Sequence, residues 1–191
     1  MRKLVLEEWV SLDGYAADKD GKLDFFPSTE ANKFSDQDQL RFMETIDTIL
    51  LGRKTYQLFT EFWPTATPDK EIIADKLNGT PKIVFSNTLR EAPWGKWPRA
   101  QVMPGDAVKA VKEMKERDGK DLVLWGSLSL AQSFIRENLI DEYHIQVCPT
   151  LVGGGRPLFP DLDRYANLKL VDSRKYDTGV MFLRYEPKYS I

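Results

Sequence analysis

Short runs of Val, Ile, Leu and aromatic residues alternate along the chain with segments of helical period, and Gly, Ser, Thr or Pro punctuates most of the joints. The apolar runs predict strands at residues 3–10, 48–51, 82–85, 121–125 and 142–147. A last pair at 168–175 and 180–186 flanks the turn signal Tyr176-Asp177-Thr178-Gly179. Helices are predicted at 36–46, 54–59, 69–77, 106–117 and 127–138. In the fourth, Ala107, Val108, Ala110, Val111 and Met114 share one face with lysines and glutamates between them, as expected of a helix packed on a sheet. Strand-helix-strand order implies an α/β fold with a mixed, mostly parallel central sheet, to which the C-terminal hairpin adds antiparallel edges. No internal repeat or linker interrupts the pattern, so residues 1–191 are read as one domain. The stretch 92–99, with Pro93, Trp94, Trp97 and Pro98, fits neither period; it reads as a surface loop whose aromatics offer a subunit interface.

Composition narrows the function classes. A net charge of -2 gives no basic field for nucleic acid, so any anion must be met locally. No apolar run approaches the length of a membrane span. Glu7 and Glu8 interrupt any signal-like stretch, which points to a cytoplasmic protein. Cys148 is the sole cysteine and His144 the sole histidine, so no metal cluster of those residues is expected. Cys148 reads as a small buried apolar residue, and His144 as a structural imidazole with no carboxylate partner assignable from sequence.

Three strand ends carry candidate chemistry. Leu51-Gly52-Arg53-Lys54-Thr55 closes a buried strand and opens a helix. The N–H groups and dipole at such a terminus suit a phosphate, with Arg53, Lys54 and Thr55 as further donors; a strand-to-helix turn with solvated cations is the alternative. Ser86 and Asn87 stand at the exit of the next apolar strand, where ligands of α/β sheets collect and where a plain turn is also expected. Trp125-Gly126-Ser127-Leu128 repeats the strand-Gly-helix arrangement, with Ser127 either a helix cap or a phosphate donor. Together these form a dinucleotide-sized set of donors, although the Gly-x-Gly-x-x-Gly pattern is absent.

These residues resemble the dihydrofolate reductase superfamily, in the branch containing the reductase domain of the bifunctional riboflavin-biosynthesis deaminase-reductase. The resemblance is carried by Ser11-Leu12-Asp13-Gly14-Tyr15-Ala16, Leu51-Gly52-Arg53-Lys54-Thr55-Tyr56 and Val84-Phe85-Ser86-Asn87-Thr88-Leu89. It continues through Trp125-Gly126-Ser127-Leu128-Ser129-Leu130, Leu139-Ile140-Asp141-Glu142-Tyr143 and the segment from Pro149 to Phe159 with Gly153-Gly154-Gly155. The resemblance implies a three-layer αβα fold around an eight-stranded sheet. It also implies NADPH as cofactor, hydride transfer to a pteridine-like or ribosylamino-pyrimidine ring, and a homodimer without membrane or nucleic-acid partners.

By position, the resemblance gives Gly52, Arg53, Lys54 and Thr55 to the pyrophosphate and the adenosine 2'-phosphate, and Ser86 and Asn87 to the adenosine end. Gly126, Ser127 and Leu128 fall in the pyrophosphate turn, whose first peptide is then expected to be strained or cis. Trp9 falls beside the nicotinamide carboxamide, or packs on the sheet. Asp36 falls where a carboxylate pairs with the substrate ring and is a proton-donor candidate; it also suits a helix N-cap. Asp13-Gly14 reads as a turn opening a loop that borders the nicotinamide. Phe25 and Phe26 either stack on a flat substrate or anchor that loop, and Gln146 is a candidate ring-binding amide. A non-catalytic NADPH-binding or interaction protein on the same fold is the competing class.

Overall fold

The computed structural model describes residues 1–27, 33–163 and 165–188, with the backbone alone at 33–36. Nine strands form one sheet in the order β10-β11-β8-β1-β7-β3-β4-β6-β5. Its centre is the parallel set β8 (Glu142–Cys148), β1 (Leu4–Ser11), β7 (Asp121–Trp125), β3 (Ile46–Gly52), β4 (Lys82–Phe85) and β6 (Trp97–Met103). The C-terminal hairpin of β10 (Leu168–Lys175) and β11 (Met181–Pro187) adds antiparallel strands beside β8.

Alternation along the strands builds two cores. Leu4, Leu6, Leu50, Leu122 and Leu124 face α4 (Ala107–Lys115) and α5 (Leu128–Arg136), meeting Val111 and Phe134. Ile49, Leu51, Val84 and Val123 face α1 (Lys33–Met43), α2 (Arg53–Phe62) and α3 (Ala74–Gly79), meeting Met43, Tyr56 and Leu77. Helices on both faces of a mostly parallel sheet make the expected three-layer αβα fold.

The ninth strand departs from the eight implied by resemblance, and it comes from residues 92–99. That stretch is a hairpin in which β5 (Ala92–Trp94) pairs antiparallel with β6; Pro93 is tolerated because β5 is an edge strand, and Pro98 because β4 pairs with β6 only from Gln101 to Met103. Trp94 is fully buried, its indole N–H donating to Asn78 Oδ1 at 2.7 Å and its ring lying under the Lys82 ammonium. It offers no surface for a second subunit. Sequence reading also missed β2 (Tyr15–Asp18) and β9 (Gly155–Pro157), which form a separate two-stranded sheet over the end of β1. The first helix starts at Lys33 and ends at Met43, earlier at both ends than predicted, because Ile46 already pairs in β3.

Candidate active site

A cleft of about 1290 Å³ lies outside the C-terminal ends of β1, β3, β4 and β7. Two helices begin at its floor, α2 directly after β3 and α5 directly after β7. Neither has a side-chain cap: Gly52 leads into α2 and Ser127 into α5 without a capping hydrogen bond, so the cap reading of Ser127 is incorrect. By contrast, Asp106 caps α4 by accepting from the Val108 and Lys109 N–H groups. The N–H groups that open α2 and α5 lack carbonyls one turn earlier in their helices, although the Leu130 N–H reaches the Ser127 carbonyl at 2.8 Å, and the positive ends of both dipoles lie at the cleft.

A small hydroxyl network locks the two termini together. Ser127 Oγ accepts from the Gly52 N–H at 2.7 Å and donates to Thr55 Oγ1 at 2.9 Å. Thr55 Oγ1 also accepts from the Ser127 N–H at 3.0 Å, which leaves the Thr55 proton free to donate into the cleft. The Gly126–Ser127 peptide is trans, not cis, but the expected strain is present: both residues have left-handed backbone, φ 57° and 61°. A side chain at Gly126 would meet Thr55 Cγ2 at 3.0 Å, so the turn needs glycine for conformation and for space.

The other cofactor candidates line the same cleft. Arg53 and Lys54 are exposed on its rim and join no ion pair among the described residues. Ser86 and Asn87 follow β4; Ser86 Oγ accepts from the Thr88 and Leu89 N–H groups and so builds the turn. The Asn87 carbonyl accepts from the Gly105 N–H at 2.7 Å, leaving its amide protons for a ligand. Leu128 opens α5, and Trp9 stands at the far end of the cleft with its ring 5.5 Å from that of Phe26.

On the substrate side, Gln146 and Phe26 line the cleft, whereas Phe25 does not and instead packs edge-on against Phe26. Phe25 is thus an anchor of the loop. The Asp36 backbone lies within α1, three residues past its start, which removes the N-cap reading; its side chain lies outside the described residues. Asp13 does more than make a turn. It accepts from Ser11 Oγ and from the Val152 and Gly153 N–H groups, bonds that hold its carboxyl down at about 2 and tie the end of β1 to the glycine run. Cys148 is buried, and its thiol is pushed up to about 11 by burial. His144 has the carboxylate partner that sequence could not assign. Its ring nitrogen is 3.1 Å from Glu142 Oε2, away from the main cleft and beside Phe42 and Phe182.

Sequence reading passed over Glu7 and Glu8, both buried and both lining the cleft. Desolvation pushes each carboxyl up to about 8; Gln39 beside Glu7, and the Trp9 N–H donating to Glu8, offset part of that. Two adjacent glutamates inside an otherwise apolar strand were the available signal, because an acid buried without a cation needs a reason.

This arrangement, an αβα sandwich with two uncapped helix ends meeting in one cleft at the strand termini, defines an α/β protein of dihydrofolate reductase-like fold. The chain belongs to the RibD C-terminal domain family, whose model matches residues 2–182. It is 34% identical over 186 residues to the uncharacterized protein YyaP of Bacillus subtilis (strain 168), covering 96% of this chain and 94% of that one. Among solved structures, a putative riboflavin biosynthesis protein from Shewanella sp. PV-4 superposes with a TM-score of 0.74 at 26% identity, covering 98% of this chain and 99% of the other. The fold is shared with a dihydrofolate reductase from Enterococcus faecalis complexed with NADP(H), at TM-score 0.58, 18% identity and coverage of 98% and 97%.

Proposed function

We propose that this protein is an NADPH-dependent reductase that transfers a hydride to a small heterocyclic substrate of pteridine or ribosylamino-pyrimidine type. The observation that carries the reading is the meeting of two uncapped helix N-termini, joined through Ser127 and Thr55, beneath two exposed rim cations that pair with no acid among the described residues. A diphosphate needs several N–H donors converging from two directions, and this geometry supplies them. Family membership and the NADP(H) complex of the dihydrofolate reductase of shared fold support the same reading.

In this reading the α2 and α5 termini and the Thr55 hydroxyl hold the pyrophosphate, and Arg53 or Lys54 meets the 2'-phosphate. The Asn87 amide serves the adenosine end. NADPH bound there supplies the hydride. The chain's own work is to orient the ring, exclude water with Trp9 and Phe26, and keep a proton available on a buried carboxyl, for which Glu7 and Glu8 are poised near neutrality.

Calorimetric titration with NADPH, followed by the loss of NADPH absorbance on adding dihydrofolate or a ribosylamino-pyrimidine, tests the proposal. Saturable binding with turnover is the expected result. Binding without turnover on any such ring supports the non-catalytic NADPH-binding class instead, and absence of binding rejects both.

A further inference from the structure

The helix termini account for the phosphate half of the cleft, but the half bounded by β1, β8 and α1 carries a second feature. Alternation along β1 puts Glu7 on the same face as Trp9, and the parallel register sets Gln146 of β8 opposite Trp9. Gln39 reaches them from α1, and all three side chains line the cleft. Glu7 is 2% and Gln146 4% exposed, and Glu7 Oε2, Gln146 Oε1 and Gln39 Nε2 have no partner at full hydrogen-bond geometry among the described residues, although the Gln39 amide lies near enough to Glu7 to lower its carboxyl. These are three of the five buried, unpartnered side-chain polar atoms among the described residues, and they come from three elements onto one cleft.

Such an atom is costly when it is left without a partner, so native folds keep few of them. Three gathered in one place match a ligand that brings its own donors and acceptors. We propose that Glu7, Gln39 and Gln146 form the specificity-determining wall that reads the edge of the substrate ring, selecting a flat, uncharged ring with neighbouring N–H and C=O groups. This rests on the reductase reading above and deepens it.

The chemistry of the three groups fits. Each glutamine amide presents either a donor or an acceptor by a half-turn about its last bond. Among the described residues no cation makes an ion pair with Glu7. Glu8 lies on the same strand, and a smaller cavity that Glu7 also lines holds Asp38 and Arg41 of α1, Asp121 of β7, Glu142 and His144 of β8, Asp172 and Arg174 of β10, Tyr176, and Arg184 of β11 with its Nε unpartnered; Glu142 engages His144, and Arg41 and Arg174 engage Asp38. Burial therefore keeps a proton on Glu7 up to about 8, so that its carboxyl both donates and accepts. A carboxylate would select a cationic ring, whereas this wall favours a neutral cyclic amide or imide.

The test uses 6-aminouracil as probe and aniline as a flat ring without the amide edge. Both are titrated by tryptophan fluorescence into wild type, Glu7→Leu, Gln146→Leu and Glu7→Gln, with and without saturating NADPH. Wild type should prefer 6-aminouracil, and each leucine variant should weaken that binding about ten- to a hundredfold, the effect of stranding one polar contact. Glu7→Gln, which still donates and accepts, should keep most of it, and NADPH affinity should be unchanged throughout. The leucine variants remove an unpaired buried polar group, so they should melt no lower than wild type. Equal 6-aminouracil binding by wild type and leucine variants overturns the wall, as does a wild type that does not prefer 6-aminouracil to aniline. Loss of NADPH binding in every protein would instead count against the cofactor reading, and the titrations without NADPH still decide the wall.

Discussion

Arg53 carries the cofactor preference in this account, because NADPH and NADH differ only by the phosphate that an exposed rim cation can reach. Arg53→Ala should weaken NADPH binding about ten- to a hundredfold, at about 1.4 kcal/mol per factor of ten, and NADH binding far less. Added salt should narrow the gap, since the contact is exposed and screened. Calorimetry with both cofactors reads this, and equal losses would move Arg53 to the shared pyrophosphate. Glu7 and Glu8 make the second residue-scale prediction. Unfolded glutamates lose their protons near pH 4.3, whereas burial holds these to about 8. In between, the folded state binds more protons, so the stability present below the unfolded value is lost as pH rises through about 8. Glu7→Gln should therefore raise the melting temperature at about pH 8.5 by several degrees and leave it nearly unchanged at about pH 4. An equal shift at both pH values would mean that Glu7 is ionised in the folded protein.

At the scale of elements, the joint between α2 and α5 is the feature on which the proposed cofactor binding turns. Thr55→Val keeps the shape but removes the acceptor of two hydrogen bonds from Ser127 and the free hydroxyl of the cleft. It should cost about 1–3 kcal/mol of stability and at least tenfold in NADPH affinity. Gly126→Ala adds a side chain at φ 57° against Thr55 and should lower both melting temperature and NADPH affinity; a fully wild-type Gly126→Ala protein would show that the turn has slack. The joint was half legible in the sequence. Gly52 and Gly126 at strand ends announced the two helix termini, because that pattern is local. The Ser127–Thr55 bonds were not legible, as they link residues 72 apart. Proline misled the reading of residues 92–99, where an edge strand tolerates what a central strand would not. Glu7 and Glu8 were visible as adjacent acids in an apolar strand, but their burial depends on elements distant in sequence, so the strand alone does not tell a buried pair from exposed charges.

Across the whole molecule, the parallel strands β1, β3, β4 and β7 all end at the same edge, and that shared edge brings donors from distant parts of the chain into one cleft. The two buried cores on either side of the sheet hold α2 and α5 rigidly enough for their termini to be a preformed site. Asp13 adds the clamp that ties the end of β1 to the glycine run before β9, beside the half of the cleft proposed for the substrate. Asp13→Ala should thus raise the KM for the ring substrate more than that for NADPH, and steady-state kinetics with each varied in turn would show it; equal effects would make the clamp a general support. Hydride transfer is tested most directly with NADPH deuterated at the transferring nicotinamide carbon, together with a ribosylamino-uracil or a pterin-type substrate. Mass spectrometry should find one carbon-bound deuterium in the reduced product, on the ring of a pterin or on the sugar-derived carbon of a ribosylamino-uracil. Protein that binds NADPH yet moves no deuterium to either substrate would contradict hydride transfer.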